Sequence, residues 1–306
     1  MSMKTFSLKL ALVFLALLVL QPSSIVAQTL QTSSREKDTT WQLKKLLEQS
    51  RAPANFRSVE TADVKQFESL LAKTLNLGVE CGETKDGWEQ LGWQMRFDVE
   101  TGILVLIEAD DQRQGRGMYA FRVNSKSSLV LQAPHRFYDS LTGIIARKVF
   151  EESEVRAVAW NTVHRKTIDI AHTHRHYINA FSRVVLNWDK GIVIAQLHGF
   201  SNGNKTGAAK QASIILSDST RHPGRKVRDA AFKLKESFDR GSVKLYPIEV
   251  SQLGGTTNAQ AAVAYASGAE SFLHVEMNAD FRKQLTKSAS TRAAFYSAIS
   301  DVTPNQ

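Results

Sequence analysis

"LVLQAPHRFYDSLTGIIARKVFEESEVRAVAWNT", Leu129 to Thr162, carries two short apolar runs on either side of a stretch with helical spacing. "LVLQAP" is long enough to be a buried strand. "LTGIIARKVFEES" places its apolar residues on one helical face, and "VRAVAW" returns to the strand pattern. The first strand stops at Pro134-His135, and Asp139 follows four residues on. A turn needs residues of this kind for its own sake. Strand ends in an α/β sheet are also where ligands bind, and His and Asp are both metal ligands. For this stretch alone, the plain turn has the edge.

The rhythm continues to the end of the chain. "HYINAFSRVVLNW" reads as a helix and "GIVIAQLHGF" as a nearly continuous apolar strand. "ASIILSD" is a strand, "GRKVRDAAFKLKESF" a basic amphipathic helix and "VKLYPIEV" a short strand. "SFLHVEM" and a terminal helix over "TRAAFYSAIS" close the series. Strands and helices alternating at this spacing predict an α/β fold: a mixed, mostly parallel sheet with helices on both faces.

Upstream, "TADVKQFESLLAKTLNL" reads as a helix that breaks at Gly78, and "GWQMRFDVE", "GILVLIEAD" and "GMYAFRVN" read as strands separated by turn formers. We expect one α/β domain over 54–306, with a strand-rich part over 54–128 and the site-bearing part over 129–306. A polar linker with a short helix, "WQLKKLLEQS", precedes it over 28–53. Whether the early strands form a lid or join the main sheet is left open by their pattern.

The first residues, "MSMKTFSLKLALVFLALLVLQPSSIVAQ", have the form of a secretory signal peptide. Lys4 and Lys9 supply the charged start, Leu10 to Leu20 the short apolar core, and Ala27 a small residue before cleavage. That core is too short to span a bilayer comfortably, and no second apolar run of ~20 residues follows. We therefore expect cleavage after residue 27 and a periplasmic or secreted product without stable membrane insertion. An uncleaved signal acting as an anchor is the competing outcome.

Cys81 is the only cysteine, so no internal disulfide forms and thiolate-rich zinc sites are excluded. The formal net charge is +9, with the densest basic group at "RHPGRKVRD". That group is short, lacks interleaved aromatics and opens a helix, so nucleic acid is not the expected partner. A solvated helix face is the simpler reading, and anionic substrates or cell-envelope polymers suit an exported basic protein.

Four strands end in groups a fold alone does not require: His135, then Asn161 with His164 and Arg165, then His198, then Glu276. In a parallel sheet these carboxyl ends share one edge, where they can converge. His135, Asp139 and His198 make a chemically sensible three-ligand site for one zinc ion, with a fourth position left open. Zinc lowers the pKa of water towards ~7 and polarises a carbonyl, and Glu276 is the carboxylate best placed to move the proton. Glu276 can equally close a strand-end salt bridge with Arg282. Arg165 suits a bidentate grip on a substrate carboxylate, or an ion pair with Asp169. Asn161 can orient the same substrate group, or serve only the backbone.

Several other motifs carry less. "HTHRH" (His172 to His176) resembles a metal cluster, but alternate residues between a turn and a helix need not face one way. "GFSNGNKT" lacks the glycine that a phosphate loop places before Lys205, though the loop is expected to flank the site beside His198. There is no G-x-S-x-G nucleophile elbow.

"APHRFYD", "WNTVHRK…DIAH", "QLHGF" and "FLHVEMNADFR" together resemble the ordered motifs of the N-formylglutamate amidohydrolase group. More broadly they are similar to zinc-carboxypeptidase-like hydrolases, including poly-γ-glutamate hydrolases. The resemblance runs from about Leu129 to Leu285. It implies a three-layer α/β/α sandwich, His135 and His198 as zinc ligands, Glu276 as general base and Arg165 as a candidate for the substrate carboxylate. One departure stands out. Carboxypeptidase-like sites take their first two ligands from His-x-x-Glu, whereas here Tyr138 occupies the third position after His135 and the carboxylate falls at Asp139.

The reading is an exported zinc-dependent hydrolase of an amide or peptide bond adjacent to a carboxylate. Its substrate would be a small molecule or peptide: an acyl-amino acid, a γ-glutamyl linkage or a cell-wall peptide. The rival is an exported binding or envelope-associated protein that keeps the scaffold without turnover.

Overall fold

Period-two alternation sends Leu129, Leu131 and Ala133 to one face of the strand at 129–133, and Val130 with Gln132 to the other. The computed structural model describes residues 42–52, 56, 59–268 and 272–300. The signal segment expected over 1–27 lies outside them, as does most of the linker expected over 28–53.

Among the described residues, nine strands form one sheet. They are β1 (Trp93–Asp98), β2 (Ile103–Glu108), β3 (Met118–Arg122), β4 (Leu129–Ala133) and β5 (Ala157–Trp160). Then come β6 (Val193–Gly199), β7 (Ile214–Ser217), β8 (Val243–Leu245) and β9 (Phe272–Met277). The helices are α1 (42–49), α2 (Thr61–Leu77), α3 (Lys85–Gln90), α4 (Thr142–Glu152) and α5 (Tyr177–Trp188). They continue with α6 (Gly207–Gln211), α7 (Arg225–Ser237), α8 (Ala259–Ala266), α9 (Ala279–Lys287) and α10 (Ala289–Ser300).

The strand order is β1-β2-β3-β5-β4-β6-β9-β7-β8. β5, β4, β6 and β9 run parallel at the centre, and β7 and β8 are parallel to each other. β1, β2 and β3 join antiparallel to one another and to β5, and β7 joins antiparallel to β9. The sheet is mixed as expected, but its parallel pairings belong to the centre and the small β7/β8 pair. Tight turns such as the one at Gly102 can only join antiparallel neighbours. The early strands extend the main sheet and form no separate lid.

Helices cover both faces. α4, α7, α9 and α10 pack on one side, where Leu43, Leu46 and Leu47 of α1 are also buried. α2, α5 and α8 pack on the other. This is the three-layer α/β/α arrangement. No helix of the described residues is long and apolar enough to cross a membrane.

At the antiparallel end the carboxylate of Glu108 is buried and accepts backbone N–H groups from Gln114, Gly115 and Arg116, and the Arg116 Nε–H at 2.8 Å. Arg116 lies over the Trp93 ring, 4.8 Å from its centroid, and also donates to the carbonyls of Leu91 and Gly92. Removing one partner of a buried ion pair strands the other. Glu108→Ala should therefore cost about 3–5 kcal/mol, read as a lowered denaturant midpoint.

Two features of the topology place the site. The chain runs from β4 to β5 on one side and from the adjacent β6 to β7 on the other, so a crevice opens at the carboxyl ends of β4 and β6. Register also pairs His198 with Glu276, and Gln132 with Gln196 and then His274, on the face covered by α5 and α8.

Candidate metal centre

His135 lies just past the end of β4, on a turn closed by the Tyr138 and Asp139 N–H groups donating to its carbonyl at 2.8 Å each. That turn brings Asp139 back under the imidazole: His135 Nδ1 is 3.4 Å from Asp139 Oδ2. His198, near the end of β6, places its Nδ1 3.2 Å from the same oxygen. The two imidazole rings meet edge to face at 4.9 Å. The ligand atoms of all three residues lie within 4.8 Å of one another, and all three residues are buried. The positions predicted from sequence for the metal come together in one place.

The outer nitrogens are held. His135 Nε2 donates to Asp169 Oδ1 at 2.8 Å, and His198 Nε2 is 2.8 Å from Gln196 Oε1. Orientation of a histidine through its outer nitrogen is the usual support of a metal ligand. His135 Nδ1 is buried and has no hydrogen-bond partner. Two imidazole nitrogens and one carboxylate oxygen facing one point, in a site that excludes thiolates, fit a zinc ion.

The electrostatics follow from the same contacts. Burial alone would raise the Asp139 carboxyl, but the adjacent imidazoles of His135 and His198 outweigh it and hold it well below the usual carboxylate range. Burial pushes His198 down, against the pull of Asp139. Asp169 is held at about 2: burial opposes ionisation, and hydrogen bonds from His172 and His135 overcome it.

Glu276 stands beside His198 in register, with 8 % of its surface exposed. Its Oε2 has no hydrogen-bond partner, and Oε1 lies 4.0 Å from His274 Nε2. Burial first, then the charge of Asp139, push its carboxyl up to about 8, although Lys205, Arg165 and Arg282 pull the other way. A carboxyl tuned towards neutrality at the lip of a crevice suits proton transfer. Arg282 makes no salt bridge to it. The guanidinium instead donates to the carbonyl of Met277 at 2.5 Å, and it fills the space where a Cβ on Gly199 would stand.

The remaining candidates divide. Arg165 is held by Asp169, through Nε at 3.0 Å and Nη2 at 2.9 Å, with its side chain about one-third exposed at the rim. Asn161 is fully buried, and its amide donates to the carbonyls of Pro134 and Val163 while its oxygen accepts the Val163 N–H. Its side chain serves the backbone and braces the turn that carries His135, the second of the two roles its sequence position allows. The "HTHRH" histidines do not converge. His172 reaches Asp169, while His176 is buried at the start of α5 and pushed down to about 4 by burial.

Three site residues escaped the sequence reading. Asp169 entered it only as a partner for Arg165, yet it also orients His135 and meets His172. His274 is stacked on His198 with centroids 4.5 Å apart, and Gln196 supports His198 from below. Period two carried the signal for the last pair: each stands two positions before a candidate residue on the same strand, and so on the same face.

No family model matches the chain, and no curated protein matches it. Among solved structures, it is similar to a bacteriophage poly-γ-glutamate hydrolase, at 11% identity and TM-score 0.40, over 58% of this chain and 84% of that one. It is similar to the gene product Atu2144 of Agrobacterium tumefaciens, at 10% identity and TM-score 0.42, over 58% and 90%. It is also similar to a zinc-free form of YndL, at 15% identity and TM-score 0.39, over 57% and 85%.

Proposed function

We propose that this chain is an exported, single-zinc hydrolase that cleaves an amide or peptide bond adjacent to a carboxylate. One observation carries the reading: His135 Nδ1, Asp139 Oδ2 and His198 Nδ1 turn towards one another in a buried site, and Glu276, whose Oε2 has no hydrogen-bond partner, stands beside them. Converging electron-rich atoms are stabilised by a cation among them. Zinc held by this set supplies Lewis acidity next to the scissile carbonyl.

The chain's own residues do the rest. Glu276 takes the proton of the attacking water and returns it to the leaving amine. Asp169 keeps the His135 ring turned, through the Nε2–H bond at 2.8 Å. Arg165 uses Nε and Nη2 on Asp169 and keeps the outer edge of its fork for a substrate carboxylate. Lys205 adds positive charge on the loop after His198. Acyl-amino acids, γ-glutamyl linkages and cell-wall peptides all present such a carboxylate.

The purified protein should hold about one zinc per chain, and chelation should abolish hydrolysis of an N-acyl amino acid or γ-glutamyl peptide until zinc is restored. Metal analysis with an amine-release assay reads both. A chain that takes up no zinc, with no activity after reconstitution, would leave the scaffold as a binding protein.

A further inference from the structure

A group of buried amides lies beneath the candidate metal centre, and its hydrogen bonds can run in only one direction. Gln196 is at its middle, with no exposed surface. Its Oε1 faces His198 Nε2 at 2.8 Å and Asn258 Nδ2 at 2.5 Å. Its Nε2 faces Gln132 Oε1 at 2.9 Å and Gln260 Oε1 at 3.0 Å. The two ends of a side-chain amide have nearly the same shape, so contacts decide which is which.

Here three backbone anchors decide it. Asn258 Oδ1 accepts the N–H groups of Gln260 and Ala261 at the start of α8, so its NH₂ is the end that faces Gln196. Gln260 gives its NH₂ to the carbonyl of Ile170 at 3.0 Å, so its oxygen faces Gln196. Gln132 gives its NH₂ to Ser182 Oγ, whose own hydroxyl is given to the carbonyl of Ile178, so its oxygen faces Gln196 too. One donor on one side and two acceptors on the other leave a single orientation. Gln196 must present oxygen to Asn258, and the same oxygen meets His198. Both ring nitrogens of His198 face oxygen, Nε2 that of Gln196 and Nδ1 that of Asp139, so a cation between Nδ1 and Asp139 leaves the one ring hydrogen on Nε2.

We propose that Gln196 is a positioning residue: locked by Asn258, Gln260 and Gln132, it holds His198 as the Nε2–H tautomer and commits Nδ1 to the metal. This rests on the metal reading given above. It also sets aside a second group of ligand-type residues, His198 with His274 and Glu276, whose atoms lie within 4.8 Å of one another. With Nε2 given to Gln196 and Nδ1 turned to Asp139, His198 has no nitrogen left for that group.

The tautomer is read first in the zinc-loaded wild-type chain, by long-range proton–nitrogen NMR correlation of the histidine rings at mildly alkaline pH. His198 should appear as one neutral species protonated on Nε2. An Nδ1–H species, or a mixture of the two, overturns the proposal. Zinc titration of Gln196→Met, which loses the acceptor at similar size, should show affinity weakened about 10–100-fold. Gln196→Glu, neutral when buried, keeps an acceptor for His198 and should bind zinc close to the wild-type level. Wild-type affinity in the Met variant, or equal loss in both variants, overturns the proposal. The NMR reading uses the wild-type chain, so it decides the matter even where a variant fails to fold. If the wild-type chain binds no zinc, the metal reading is what fails.

Discussion

Glu276→Gln should lower kcat by ~10²–10⁴ while leaving zinc content and fold intact. The amide is nearly isosteric and still hydrogen-bonds water, but it accepts no proton. KM should change little, because the lost interaction is made mainly in the transition state. Arg282 is already engaged by backbone carbonyls, so loss of the Glu276 charge breaks no salt bridge to it. A variant with a lowered melting temperature and near-normal kcat would return Glu276 to a structural role, and one that loses zinc would make it a ligand. The metal-free protein gives an independent check. The Glu276 carboxyl is raised from 4.5 to about 8, so between those values the folded state binds more protons than the unfolded one. Stability contributed by this group is complete below the unfolded value and falls as pH rises through that window. Glu276→Gln removes the dependence, and its melting temperature should vary less with pH across that range.

His135→Ala and His198→Ala should each abolish zinc binding at micromolar metal, measured by competition with a chromophoric chelator. Each removes one of three ligand atoms, and in each case Asp139 loses one of the two imidazoles that hold its charge. In the metal-free state these variants leave a carboxylate with less support in a buried site, so we also expect some loss of stability. Full zinc occupancy in either variant would place the metal elsewhere. Asp139→Asn is the gentler companion, because it keeps the shape and removes the negative charge. It should weaken zinc without emptying the site of its imidazoles.

Much of this was legible in the sequence because strand ends and apolar periodicity are local signals. The apolar runs at 129–133 and 193–199 announced buried strands, and the residues just beyond or at their ends are the ones that meet. Asp139 illustrates the same point: its spacing departs from His-x-x-Glu, yet the turn after β4 still carries it back to His135. What was not legible depends on non-local contact. Asn161 looks alike in sequence whether it faces substrate or the Pro134 carbonyl. The partner of Glu276 could not be read from its nearness to Arg282, since the guanidinium turns from α9 to the Met277 carbonyl at the end of β9. The amides around Gln196 come from β4, from α8 and from the residue just before α8, and no stretch of chain contains enough of them to be noticed.

β4 and β6 are neighbours in space, but Asp139 and His198 are 59 residues apart along the chain, with β5 and α5 between them. Closing a loop of that length costs entropy before any contact repays it, and contacts of this kind form slowly compared with local helices. The turn after β4 carries only His135 and Asp139 of the three, so His198 joins them only when β4 and β6 have paired. The cage closes when the central strands find one another. On the proposed reading, a chain that holds zinc through all three residues would by that fact have assembled the middle of its sheet.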